Sequence, residues 1–217
     1  MLKFLPVLLI TVLMLTGCKN ENTEEEALRY HDDGRCKPVT EIVPVIETAF
    51  ASLPWSLSEE FTSLLKSKIN NRIFVEGSQN GYLLTDNDPF STNIDWIKNR
   101  SGNAEFTVFV ELVEYENVPI ISKNHSKIPD SRKDAVTLNI GARIRIIDVR
   151  KSKPVIVLQE MIKDSYYMPN TIDNPDYNVV CFGTEEYKTS PLAIAHAQFI
   201  KQIATRVNDY ILLAKER

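Results

Sequence analysis

Val136-Thr137-Leu138-Asn139-Ile140-Gly141-Ala142-Arg143-Ile144-Arg145-Ile146-Ile147-Asp148-Val149 is the stretch whose reading decides the fold. Successive side chains of a strand point to opposite faces. Val136, Leu138, Ile140, Ala142, Ile144 and Ile146 therefore share one face, and Thr137, Asn139, Arg143 and Arg145 share the other. One face belongs to a core and the other is wet or partly covered. Arg150-Lys151-Ser152-Lys153 reads as a hairpin turn, and Pro154 to Tyr167 as the strand that returns.

Upstream, Ala104 to Tyr115 is rich in β-branched and aromatic residues, with Phe106, Val108, Val110 and Leu112 on one face, and it reads as a third strand. Val39, Ile42, Val43, Val45 and Ile46 form a first extended segment, and Ile73-Phe74-Val75 a short second strand. Ser56-Leu57-Ser58-Glu59 fits a capping box. Leu57, Phe61, Leu64, Leu65 and Ile69 then recur at helical spacing, with an end expected near Asn70-Asn71. A short helix is expected over Ile94, Trp96 and Ile97. Ser190-Pro191 opens a C-terminal helix, with Ser as N-cap and Pro in the first turn. Its stripe is Leu192, Ala195, His196, Phe199, Ile203, Val207, Tyr210 and Ile211. Residues 78–90, 116–133 and 169–189 read as loops. This order predicts an α+β fold: a single mixed sheet of about five strands, helices packed on one face, and a long C-terminal helix.

The chain begins Met1-Leu2-Lys3, followed by an apolar run from Phe4 to Leu15 that only Pro6 and Thr11 interrupt. At roughly 1.5 Å per residue such a run covers about 18 Å, short of a bilayer core of about 30 Å. A positive start, an apolar centre and a small-residue end make an export signal. Its last residues, Leu15-Thr16-Gly17-Cys18, resemble the lipobox of bacterial lipoprotein precursors. That resemblance implies cleavage before Cys18 and a diacylglycerol on its thiol; an ordinary secretory signal with an incidental Cys is the alternative. Lys19 rather than Asp follows Cys18. For a Gram-negative source this favours the outer membrane, with the domain facing the periplasm. The expected organisation is a signal peptide over 1–17, an acidic flexible tether over 18–37 and a periplasmic α+β domain over 38–217.

Removing Lys3 with the leader takes the formal charge of −4 to −5. A mildly acidic chain with scattered charge has no footprint for nucleic acid and no polybasic patch for anionic lipid. Membrane attachment thus rests on Cys18. Cys36 and Cys181 either bridge in a compartment that permits disulfides or remain free thiols. No CxxC pair, HExxH, GxSxG, P-loop or dinucleotide fingerprint occurs, so no catalytic residue, metal or cofactor beyond the lipid is expected. His31 with Asp32 and Asp33 reads as solvated linker, His125 sits in a basic loop, and His196 reads as a hydrogen-bonded core residue. Glu59-Glu60 and Glu185-Glu186 read as solvated faces. Arg143 and Arg145, two apart on the polar face of a strand, either hold an anionic group or pair with carboxylates of a neighbouring strand. Tyr166, Tyr167 and Tyr177, with Phe182 and Tyr187, suit a partner-binding surface, or else pack the 166–187 segment onto the domain.

Leu57-Ser58-Glu59-Glu60-Phe61, Arg72-Ile73-Phe74-Val75, Ala104-Glu105-Phe106-Thr107-Val108 and the hairpin Arg143 to Val157 resemble a family of periplasmic lipoprotein domains. It includes the N-terminal domain of the translocation protein TolB, the curli-export lipoprotein and the lipoprotein activators of penicillin-binding proteins. The chain also resembles a group of chlamydial lipoproteins. The resemblance spans about residues 40–165 and implies the fold. With the lipobox and tether, the expected protein is a non-enzymatic, lipid-anchored module that binds an envelope protein. An accessory lipoprotein of a lipid transporter, binding a hydrophobic ligand, is the alternative.

Overall fold

The computed structural model describes residues 28–31, 34–69, 73–76, 87–120, 135–169 and 175–217. The chain divides into two compact units, Met1–Cys36 and Lys37–Arg217. In the first, Tyr30 and Cys36 form an isolated antiparallel bridge around a turn closed by the Gly34 N–H donating to the His31 carbonyl at 2.9 Å. Gly34 has φ 79° there, a conformation that a Cβ would strain. The expected signal, Cys18 and most of the tether lie outside the described residues.

The second unit runs β1 (Val39–Ile42), β2 (Ile46–Glu47), α1 (Leu57–Ile69), β3 (Phe74–Glu76), α2 (Asp95–Lys98), β4 (Phe106–Pro119), β5 (Val136–Asp148), β6 (Val155–Met168), α3 (Glu185–Lys188) and α4 (Pro191–Lys215). The sheet order is β3-β1-β4-β5-β6, with β2 also pairing β4. β1 pairs β3 and β4 in parallel, β2 pairs β4 in parallel, and β5 pairs β4 and β6 antiparallel. The sheet is therefore mixed, as expected, with a parallel half and an antiparallel half.

The first extended segment is two strands rather than one. Pro44 between them has no N–H to give to the ladder. Val43 still donates to the Val108 carbonyl at 3.1 Å, but Val45 turns to α1. Its N–H donates to Thr62 Oγ1 at 2.8 Å, and its carbonyl accepts the Ser58 hydroxyl. The interruption thus docks α1 on the sheet. α1 starts as its sequence implies, with the Glu59 N–H donating to Ser56 Oγ at 3.2 Å.

β4 runs four residues past the expected end at Tyr115. Glu116 to Pro119 pair with Asn139 to Val136, so the expected loop begins after the strand, not at residue 116. These residues are exposed and alternate no apolar face, which is why only the ladder itself reveals them. A bulge lies between Leu112 and Glu114, opposite Gly141. The four-residue α3, capped by Thr184, lies inside the expected 169–189 loop.

α4 begins at the expected cap, with the Ala193 N–H donating to Ser190 Oγ at 3.1 Å and Pro191 in the first turn. The long helices α1 and α4 pack on one face of the sheet. Ile42, Phe61, Leu65, Phe106, Val108, Val110, Leu138, Ile144, Phe199 and Ile203 are fully buried there. A smaller apolar cluster, Val43, Ile97, Phe109, Ile147 and Val149, lies on the opposite face beneath α2. No helix among the described residues is long and apolar enough to cross a membrane.

Candidate functional site: a buried acid–base network beside a cavity

Glu60 follows Leu57 by three residues and precedes Leu64 by four, so it sits on the apolar side of α1. His196 lies on the buried stripe of α4. Where the helices cross, both side chains are wholly buried and His196 Nδ1 stands 2.9 Å from Glu60 Oε1. Glu60 is therefore not part of a solvated face. Adjacent helical positions diverge by about 100°, so Glu59 is exposed while Glu60 points inward.

A buried carboxylate needs compensating donors. Glu60 receives three. His196 Nδ1 donates at 2.9 Å, the Tyr187 hydroxyl at 2.6 Å to the same oxygen, and Trp55 Nε1 at 2.8 Å to Oε2. Burial alone raises the Glu60 pKa, but the hydrogen bond and charge of His196, with Tyr187 and Trp55, outweigh it and hold the carboxyl below its ordinary 4.5. Burial, then Glu60 itself, pushes the Tyr187 phenol up, so it stays a donor. On the far side of the ring the Tyr115 hydroxyl lies 3.0 Å from His196 Nε2. Burial raises the Tyr115 pKa as well, with the Glu60 charge adding to it. Phe61 and Tyr115 meet the imidazole edge-on, with centroids at 4.9 and 5.7 Å.

A cavity of about 430 Å³ opens next to this network. Leu53, Val136, Met168 and Leu192 supply apolar walls, with Tyr115 and Tyr177 among the polar ones. Among the described lining residues, Tyr115 gives the His196 ring a side-chain hydrogen-bond partner. Both ring nitrogens of His196 are held by protein groups. The Tyr115 hydroxyl thus links the cavity to the acid–base pair.

The remaining candidates separate into two places. Arg143 and Arg145 lie on the second face of the sheet. Arg143 pairs with Glu111, its partner on β4, and stacks over Phe90 at 4.2 Å. Arg145 is buried and gives its guanidinium to the carbonyls of Pro89, Phe90 and Ser91 at 2.8, 2.9 and 2.6 Å, and to Gln159. It holds the segment leading into α2 and has no free edge for an anion. Tyr167, half-exposed, shares that second face through its pairing with Thr137. Tyr166 points to the helix face, where Gln202 Nε2 donates to its hydroxyl at 3.3 Å. Tyr177 packs edge-on to Trp55 at 6.4 Å, and Tyr187 is buried in the network. The aromatic residues thus do not form one surface.

Cys36 is exposed and Cys181 half-buried, and both are free thiols in the structure. His125, Asp32 and Asp33 lie outside the described residues. Among the described residues no group of three His, Cys, Asp or Glu side chains is placed to hold a metal ion. Sequence reasoning missed the Glu60–His196 pair, although its trace is present: a carboxylate and an imidazole on the apolar stripes of two helices.

A mixed sheet with two long helices on one face and a buried carboxylate–imidazole pair between them defines an α+β domain. The chain belongs to a family of unknown function, DUF7499, whose model matches residues 26–215. No curated protein is significantly similar in sequence. Among solved structures, the hypothetical protein CT253 of Chlamydia trachomatis is similar with a TM-score of 0.62 and 20% identity, over 81% of this chain and 98% of that one. This bears out the likeness to a chlamydial protein at the level of fold. Looser likenesses include XCC0632 of Xanthomonas campestris (TM-score 0.45, 6% identity, 83% and 90% covered) and lipoprotein GNA1162 of Neisseria meningitidis (0.37, 11%, 77% and 99%).

Proposed function

We propose that this protein is a lipid-anchored envelope lipoprotein whose folded domain binds another envelope protein, without catalysing a reaction. The lipobox Leu15-Thr16-Gly17-Cys18 carries the anchoring reading. Each buried acyl CH₂ contributes about 0.8 kcal/mol, so a diacylated cysteine holds the chain firmly. The binding reading rests on the part of the second sheet face that α2 leaves uncovered. It presents Arg143, Met161, Lys163 and Tyr167 through their places in the β5–β6 ladder. Arg, Met and Tyr are the residue types enriched in protein interfaces. The buried acid–base pair supports a structural role, because every polar atom of Glu60 and His196 is already engaged within the fold.

Cys18→Ala tests the anchor. The variant should leave the membrane fraction for the soluble one, and retention after a high-salt wash would overturn the reading. The cavity favours a second reading, in which the domain takes a hydrophobic ligand as the accessory of a lipid transporter. Its volume lies within the range of small-ligand sites. That reading expects a lipid to co-purify with the protein and to be lost in a Leu192→Glu variant.

A further inference from the structure

Among the described strands, β6 has a neighbour on one side only, β5. Its 14 residues leave a row of backbone N–H and C=O groups with no strand opposite. Such edges invite pairing, and proteins commonly guard them with charged side chains. Here the three charges of the strand are turned back onto the domain. Glu160 faces Arg206 of α4 at 3.8 Å, Lys163 binds Glu114 of β4 at 2.5 Å, and Asp164 accepts from Gln202 of α4 at 2.5 Å. The large apolar side chains along the strand stay exposed: Val155 at 51%, Ile156 at 40%, Met161 at 49% and Tyr167 at 52%. Met161 and Tyr167 pair with Arg143 and Thr137 on the second face, and Ile156 pairs with Ile147 there, while Val155, beyond the bulge, pairs with Asp148 on the helix face.

We propose that this edge pairs with the same edge of a second copy, antiparallel about a two-fold axis at Met161, so that two sheets become one. An axis perpendicular to the sheet keeps each face on its own side, so facing residues must share parity. Centred on Met161, the pairs are Met161 with its counterpart, Gln159 with Lys163, Leu158 with Asp164, and Glu160 with Ile162. No like charges meet. Moving the centre to Glu160 stacks that carboxylate on itself. Moving it to Ile162 sets Glu160 against Asp164 twice, and moving it to Lys163 stacks two ammonium groups. Like charges directly opposite one another are destabilising, so the charge pattern favours Met161 over these three neighbouring centres. The bulge opposite Ile146 and Ile147 falls at Val157, outside the seven central residues. The same register carries the second copy's Tyr166–Met168 end to a cleft of about 430 Å³ lined by Val155, Ile156, Val157, Ala214 and Arg217. The dimer joins the two exposed second faces side by side and gives the assembly two lipid anchors.

The test is sedimentation of the full lipidated protein in detergent, with Met161→Lys and Met161→Glu made separately. The wild type should sediment as two chains. Each variant alone should dimerise about tenfold more weakly, since like charges then face each other across the axis. An equimolar mixture of the two variants should restore dimers. A wild type that remains a single chain at micromolar concentration would overturn the proposal. So would variants that associate as tightly as the wild type, or a mixture no tighter than its components.

Discussion

Glu60 of α1 and His196 of α4, 136 positions apart in the chain, meet at 2.9 Å with neither side chain exposed to solvent. Removing one member of a buried pair strands the other, at a cost of about 3–5 kcal/mol. Glu60→Leu is expected to destabilise by that amount, because His196, Tyr187 and Trp55 lose their shared acceptor. The double variant Glu60→Leu/His196→Leu should cost less than the sum of the two single changes. Denaturant unfolding of the four proteins measures the coupling, and additive costs would show that the pair does not act as a unit.

The pair also shows where the sequence was readable. The cap at Ser190-Pro191 and the alternation of β5 depend on local chemistry and period, and both appear as expected. Glu60 was obscured by its neighbour, since Glu59-Glu60 reads as one acidic surface until each residue is placed on the helix. Leu57 and Leu64, three before and four after Glu60, carry the missing information. The break at Pro44 hid behind apolar residues on both sides, and only Ser58 and Thr62 of α1 explain why the gap is tolerated. The Arg145 contacts with residues 89–91 join positions more than 50 apart, beyond the reach of any local pattern.

The depressed pKa of Glu60 makes stability depend on pH. A carboxyl that is more acidic folded than unfolded stabilises fully above its ordinary 4.5, and that stability is lost as pH falls through the folded value. Glu60→Gln should therefore be less stable than the wild type near neutral pH, with the gap closing below pH 4.5. Thermal unfolding across a pH series measures it. A gap that stayed constant into acid would mean that the carboxylate charge contributes nothing.

Arg145 fastens the segment before α2 to the sheet by its guanidinium fork. Arg145→Met is expected to cost about 2–4 kcal/mol, as charge-assisted bonds are lost and three carbonyls lose a donor. Arg145→Lys should recover little of this, since a point charge cannot reproduce the fork. Hydrogen exchange in residues 90–101 should quicken in both variants. Unchanged protection there would refute the fastening role.

Gly141 faces Glu114 at the β4 bulge, where an added Cβ would stand 3.0 Å from the Glu114 Cβ. That contact is tighter than side chains ordinarily tolerate. Gly141→Ala should therefore destabilise by about 1–2 kcal/mol, despite the entropy that alanine removes from the unfolded chain. A stabilised variant in thermal unfolding would mean that the bulge yields.

The central claim is that the anchored domain binds another envelope protein. Its most direct test is crosslinking in intact cells through a photoreactive residue at Tyr167, on the exposed sheet face, with the attached proteins identified by mass spectrometry. The account predicts one envelope protein joined to this chain, alongside any crosslinks between copies, and its loss when Arg143 is changed to Glu. Crosslinks to other copies alone would leave the dimer standing and contradict the binding function.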